Sequence, residues 1–314
     1  MPKSVKVFAP ATVANVAAGF DILGFAVHQP GDEVTVTLSD RPGVRILSME
    51  GDGGRLPLDP GLNTATVPIL GLLSHLRFPG GIEVEIKKMM PLGSGLGSSA
   101  ASAVAGAFAA NELLGRPLSR EALLPFALEG ERVACGSAHA DNAGPALLGG
   151  FVLVRSYDPL DVVRIPTPAE LICTLVHPSV EVRTEDARRI LRSRIRLSDA
   201  VVQWGNTAGL VAGLVMGDYE LIGRSIRDVI VEPVRSILVP GFDKAKAAAL
   251  ESGALGCSIS GSGPSIFALS RGREIAGRVA DAMSAVYGDL GISVDTYISN
   301  INTDGPTVLE SRDR

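Results

Sequence analysis

The chain has 314 residues, 46% of them apolar, enough for two globular domains with packed cores. Lys and Arg number 29 against 34 Asp and Glu, a formal net charge of -5, so no basic excess stands ready for nucleic-acid phosphates. No apolar run is long enough to span a membrane and the first residues carry no signal-peptide pattern. Three widely spaced cysteines, Cys135, Cys173 and Cys257, read as small buried hydrophobes of a reducing cytoplasm rather than a disulfide or zinc framework.

Residues 5–9 form a first predicted strand. Asn15 and Asp21 follow among small residues, with Gly19 between them; such a loop either makes local Asx-turns or aims its polar groups into a site. Residues 34–38 and 44–47 are further strand candidates, and 51–60 is a polar loop rich in Gly and Pro. Residues 63–76 read as a helix with Asn63 as its cap. Ile82, Val84 and Ile86 then alternate with Glu83, Glu85 and Lys87, the period of a strand.

The stretch after that strand carries the strongest signal. It runs Pro91, Leu92, Gly93, Ser94, Gly95, Leu96, Gly97, Ser98, Ser99, Ala100, Ala101, and leads into an Ala-rich helix that stops at Gly115, Arg116 and Pro117. Three glycines let the backbone turn tightly and approach a ligand. Free N–H groups at the following helix N-terminus suit a phosphate. A Walker A loop is excluded, since no Lys occurs between Lys88 and Lys244; the dinucleotide pattern fails where Ser98 replaces its last Gly.

A second helix opens at Ser119 and carries Glu129 and Glu131, running into a loop with His139, Asp141 and Asn142. Residues 151–154 form an apolar strand, and prolines at 159, 166 and 168 place an inter-domain region near 160–168, giving domains 1–164 and 165–314. Strand 171–176 precedes a helix capped by Thr184, in a region with six arginines between Arg183 and Arg196 that read mostly as a solvated face. Helices are predicted over 198–216, 219–230 and 274–287, and a last strand over 293–299. Between them lie a Pro-flanked segment from Glu232 through Arg235 to Phe242 and a second glycine loop at 256–265. The class is α+β.

The loop from Pro91 to Ala101 resembles the phosphate loop of the GHMP kinases, the superfamily of galactokinase, homoserine kinase, mevalonate kinase and phosphomevalonate kinase. Asn15, Gly19, Phe20, Asp21 and Gly24 resemble the first motif of its homoserine kinase branch, with Val13 where Ser is frequent and Ala17-Ala18 where Gly-Pro is frequent. The segment Glu232-Pro-x-Arg235 is similar to an element distinctive of that branch, and the 256–265 loop to the third GHMP motif. The resemblance implies an N-terminal ribosomal-S5-domain-2-like domain with a left-handed β-α-β unit, a C-terminal ferredoxin-like domain and a homodimer. It implies transfer of a phosphoryl group from ATP, with Mg²⁺, to the hydroxyl of L-homoserine. Glu131 with Ser99, and the neighbouring Ser98 hydroxyl, matches the magnesium site, Glu129 being the rival carboxylate; magnesium needs few protein oxygens. By the same resemblance Asn63 lies near the nucleotide.

A zwitterionic amino acid requires cations for its carboxylate and an anion for its ammonium. Arg188 and Arg235 suit the first and Asp21 the second, leaving Asn15, His139 and Asn142 to orient the hydroxyl. Asp141 corresponds to a base in mevalonate kinase-like members, but here the expectation is that it chiefly holds the His139–Asn142 loop. Two other readings stand beside this one: a kinase for another alcohol such as mevalonate, and a non-catalytic ligand sensor on the same fold.

Overall fold

The computed structural model describes residues 2–136 and 138–313, the side chains of residues 134 and 135 apart. Cys135 therefore lies outside the described side chains; Cys173 and Cys257 are both buried. In the first half the order is β1 (Ser4–Ala14), β2 (Leu23–Ser39), β3 (Gly43–Glu50), α1 (Val67–Leu76), β4 (Gly81–Lys87), α2 (Ser98–Leu113), α3 (Leu124–Cys135), α4 (Ala140–Leu148), β5 (Phe151–Tyr157) and β6 (Leu160–Ile165). The second half adds β7 (Leu171–Pro178), α5 (Thr184–Arg189), α6 (Leu197–Met216), α7 (Tyr219–Ser225), α8 (Glu232–Arg235), α9 (Phe242–Glu251), β8 (Gly256–Ile259), β9 (Ile266–Arg271), α10 (Arg273–Asp289), β10 (Val294–Asn300) and β11 (Thr307–Arg312).

Two sheets organise the chain. The larger runs β11-β1-β2-β4-β3, with β5 added to the first residues of β2 and β6 paired to β5. β3 and β4 are parallel and α1 connects them, the β-α-β unit of the fold. Alternation explains β4: Ile82, Val84 and Ile86 are buried while Glu85 and Lys87 are exposed. The smaller sheet, β10-β7-β9-β8, carries α9 and α10. Phe25 joins the layers, its ring 4.7 Å from that of Phe151 and 6.0 Å from that of Phe267 on β9.

Helix α2 sits at the centre, packed on β1 and β2 and flanked by α3 and α4, with almost every residue buried. Its Ala-rich sequence follows from that position, because larger side chains would hold the surrounding elements apart. Gly106 marks the tightest approach: a Cβ there would lie 1.9 Å from the Ala65 carbonyl oxygen.

Several expectations change. The 160–168 region contains strand β6, hairpinned to β5. The loop expected at His139–Asn142 is instead the start of helix α4 (Ala140–Leu148), with His139 at its N-cap position. The 219–230 helix stops at Ser225, because the carboxylate of Asp228 gathers the N–H groups of Ile230, Val231 and Glu232 at 2.8–2.9 Å. Helix α5 is capped by Arg183, with Thr184 its first residue. Helix α9 and strand β11 had no prediction; β11 returns the end of the chain to β1. No helix among the described residues is long and apolar enough to cross a membrane.

Candidate active site

The phosphate-loop prediction is met in form: β4, a glycine loop and α2 follow one another, and Gly93, Gly95 and Gly97 have φ of 68°, 74° and 69°. Two of these glycines are also forced by contact. A Cβ on Gly97 would lie 2.1 Å from the Thr12 hydroxyl and 2.8 Å from the Asn142 amide oxygen. One on Gly95 would lie 2.5 Å from the Ser260 carbonyl oxygen, in the second glycine loop. The two glycine loops thus buttress each other, with the Ser260 hydroxyl donating to the Gly95 carbonyl at 2.7 Å.

Beneath the loop lies a buried charge pair that sequence reasoning missed. Lys88 pairs with Asp32, donates to the Ser98 carbonyl at 2.9 Å and to the Ser102 hydroxyl at 2.7 Å. Asp32 in turn accepts from the Met89 and Met90 N–H groups and from the Ser98 hydroxyl at 2.9 Å. Every member is satisfied, which a buried ion pair requires. The sequence signal was a single Lys between an alternating strand and an apolar loop. The Ser98 hydroxyl is therefore turned inward to Asp32, whereas the Ser99 hydroxyl takes no part in this network.

A cleft of about 270 Å³ opens beside the loop. Among its lining residues are Asn15, Asp21, Ser99, Glu131, His139, Asp141, Asn142, Arg188 and Arg235, which the sequence places as far as 220 residues apart. Asn63 is not among them. Its amide oxygen accepts from the Ala65 N–H and its nitrogen donates to the Pro57 carbonyl, at 3.0 and 2.9 Å, so the side chain serves the local turn before α1. Its neighbour Thr64, with Leu56, lines the cleft instead.

Glu131 is 2% exposed, and its Oε1 is buried without a hydrogen bond among the described residues. The ring of His139 lies 3.7 Å from its other oxygen. Glu129 faces out and pairs with Arg132 at 3.1 Å on a solvated surface. A buried acceptor that lines a cleft and lacks a proton donor fits a hard cation.

Asp141 and Asn142 stand on the first turn of α4, not in a loop. Asn142 is tied down by the Thr12 hydroxyl, which donates to its Oδ1 at 2.7 Å. Asp141 differs: its Oδ1 is buried without a hydrogen bond among the described residues. Burial, followed by the charge of Asp21, pushes its carboxyl up to about 7. It does not staple the segment through its Oδ1; Thr12 and Asn142 do that work.

The loop of residues 15–21 is contorted. Asn15, Val16, Ala17 and Asp21 all have positive φ although none is glycine. Neighbours hold it there: Asn15 donates to the Gly261 carbonyl at 2.9 Å and accepts from the Asp21 N–H at 3.0 Å. From α6, Gln203 and Thr207 both donate to the Ala18 carbonyl, at 3.1 and 2.8 Å. The result aims Asp21 at Arg188, which it meets in a two-pronged ion pair of 2.8 and 3.1 Å.

Arg235 is 3% exposed and donates to the Ala187 and Gly261 carbonyls at 3.1 and 3.0 Å. Burial and the adjacent Arg188 lower its guanidinium to about 10, so it is still a cation at neutral pH. Both guanidiniums stand over the Phe20 ring, at 5.8 Å for Arg188 and 5.1 Å for Arg235. Glu232 of the same motif is structural, bonded to Lys246 of α9 and to the Ser258 hydroxyl of β8 at 2.6 Å.

A phosphate cradle at a helix N-terminus, a buried carboxylate with one oxygen unbonded among the described residues, and a set of two guanidiniums and an aspartate lining the same cleft define a small-molecule phosphotransferase. The comparisons agree. Residues 65–150 match the GHMP kinases N terminal domain and residues 210–289 the GHMP kinases C terminal domain. A homoserine kinase of Chlorobium phaeobacteroides is 54% identical over 98% of this chain and 100% of its own. A crystal structure of homoserine kinase from Cytophaga hutchinsonii superimposes with a TM-score of 0.97 at 62% identity, covering 98% of both chains. Mevalonate kinase of L. major shares the fold alone, with a TM-score of 0.71 at 15% identity, over 96% of this chain and 98% of that one. The chain belongs to the GHMP kinase family, on its homoserine kinase branch.

Proposed function

We infer that this chain transfers the γ-phosphoryl group of ATP to the side-chain hydroxyl of L-homoserine, giving O-phospho-L-homoserine and ADP, a step towards threonine. The observation that carries the reading is the Asp21–Arg188–Arg235 constellation across the cleft from the phosphate loop. An amino acid's ammonium and carboxylate replace the internal Asp21–Arg188 pair, charge for charge. A mevalonate-like alcohol has no ammonium to offer the half-buried Asp21 once its carboxylate has drawn Arg188 away.

The loop N–H groups and the α2 dipole receive the phosphates, and Asn15, His139 and Asn142 orient the acceptor hydroxyl. Glu131 and Ser99 would hold a magnesium ion, whose chemistry there is neutralisation of phosphate charge. Asp141, close to half protonated near neutral pH, is no strong base, and in a loose transition state the attacking oxygen needs little proton removal until late. The domains divide at 164/165, with the last strand crossing back to the first sheet. We assign the protein to the cytoplasm as a homodimer. Phosphorus NMR of a reaction with ATP and L-homoserine tests the reading: a new phosphomonoester coupled to the side-chain methylene is expected. Hydrolysis of ATP to free phosphate without that ester would contradict it.

A further inference from the structure

Among the described residues, the Lys and Arg side chains that line the cleft are all engaged. Lys88 is buried in its pair with Asp32, Arg188 is bonded to Asp21, and Arg235 donates to the Ala187 and Gly261 carbonyls. The proposed function gives both arginines to the carboxylate of the acceptor. A nucleoside triphosphate brings several negative charges, and a magnesium ion neutralises only part of them. The phosphate loop, residues 91–101, offers N–H groups and hydroxyls but contains no Lys or Arg.

A further cation stands at the rim. Arg55 lies in the 51–60 loop, next to Leu56, which lines the cleft. That loop is shaped by the buried carboxylate of Asp52, which accepts the Leu56 N–H at 3.1 Å, and by Gly53 and Gly54, which turn it with φ of 62° and 72°. The Arg55 guanidinium donates at 3.1 Å to Glu181, in the segment between β7 and α5. Glu181 in turn lies along the start of the phosphate loop. A Cβ on Gly93 would fall 3.0 Å from its Cγ and 3.5 Å from its Oε1. A carboxylate in that position repels a phosphate, and Arg55 neutralises it.

We propose that Arg55 is a ligand of the nucleotide phosphates that Glu181 holds beside the loop until a nucleotide arrives. The incoming phosphate takes the guanidinium from Glu181, and the released carboxylate turns out to solvent. The exchange costs little, because the two side chains are 53 and 51% exposed and such a surface pair contributes little to stability. What it gains is a guanidinium whose planar fork matches phosphate oxygens. In the free chain the same pair lies across the mouth of the cleft, joining a loop of the first half to a segment of the second. A ligand without an anion has nothing with which to release it, so the effect follows the phosphates and not the nucleoside. The proposal rests on the kinase reading of the cleft.

Isothermal titration calorimetry of the full chain with ADP and with adenosine, both in the presence of magnesium, tests the exchange. Arg55→Ala should raise the ADP dissociation constant about tenfold, the scale of one charge-assisted hydrogen bond. Glu181→Gln should lower it about threefold, since the competing carboxylate and its like charge are both removed. Adenosine affinity should be the same in wild type and both variants. Denaturation midpoints should also match, as both positions are exposed; if Arg55→Ala does not fold, Arg55→Gln serves. Opposite signs from the two ends of one ion pair separate the exchange from a structural contact, whose loss from either end would weaken binding alike or leave it unchanged. An Arg55→Ala variant that binds ADP as wild type does, or a Glu181→Gln variant that binds it no more tightly, would overturn the proposal. So would an adenosine affinity that falls in Arg55→Ala as far as the ADP affinity does. A wild type that binds no ADP would remove the kinase reading as well, whereas wild-type binding with silent variants removes only the role of Arg55.

Discussion

At the scale of single residues the cleft holds groups we propose to bind substrate, groups that hold backbone, and a buried carboxyl raised to about 7. Arg235 lines the cleft while its guanidinium donates to two carbonyls. Arg235→Leu should raise homoserine KM by an amount worth roughly 2–5 kcal/mol, the scale for truncating one partner of a buried charge pair, with ATP KM little changed. A homoserine KM within about threefold of wild type, well under 1.4 kcal/mol, would remove Arg235 from the substrate site. Glu131→Gln should cause a large fall in kcat that excess magnesium reverses only in part, while Glu129→Gln, on the solvated face, should be close to silent. The reverse outcome moves the metal role to Glu129.

Asp141 yields a prediction about stability and pH. Its folded carboxyl is raised to about 7 from an ordinary 3.8, so between those values the native state holds a proton that the unfolded chain releases. Its favourable contribution is therefore complete below about pH 4 and is lost as pH rises towards 7. Asp141→Asn, which cannot ionise, should gain stability relative to wild type between pH 5 and pH 8, read from denaturation midpoints. We expect its kcat to fall by less than about 10²-fold, the lower end of general-base contributions. A loss beyond about 10³-fold in a folded variant with unchanged KM values would make Asp141 the base.

At the scale of elements, the strand, glycine loop and helix were legible because each has a strong local cause: alternation, backbone freedom and Ala-rich propensity. The Lys88–Asp32 pair beneath them was not, since its partners are 56 residues apart and nothing local marks Asp32. The same holds for Asp228, which ends a predicted helix early by capturing three N–H groups, and for Thr12, which positions Asn142. Helix α4 was hidden by Gly144 and Pro145, which suggest a turn, yet tertiary packing keeps the segment helical. Lys88→Met should cost about 3–5 kcal/mol, because it leaves Asp32 buried without its cation. Denaturant unfolding should show that loss, and Asp32→Asn added to it should recover part; a single variant as stable as wild type contradicts the anchoring role. Gly97→Ala should impair kcat through displacement of Thr12 and Asn142, whose contact a Cβ would invade.

At the scale of the whole molecule, the cleft draws on both halves of the chain. Asp21, the phosphate loop and Glu131 come from the first, Arg188, Arg235 and the second glycine loop from the second, with Phe25, Phe151 and Phe267 packed between the sheets. Sequence motifs identified most of the lining residues, but the pairing of Asp21 with Arg188 and the return of β11 to β1 depend on contacts across the whole chain. This geometry suits an amino-acid alcohol. The most direct test is ADP release with L-homoserine, mevalonate, galactose and shikimate offered separately under one condition. We expect a kcat/KM for homoserine at least about 10³-fold above the others, as when a rejected substrate leaves charged groups of the site unpaired. Equal or greater turnover of mevalonate would contradict it.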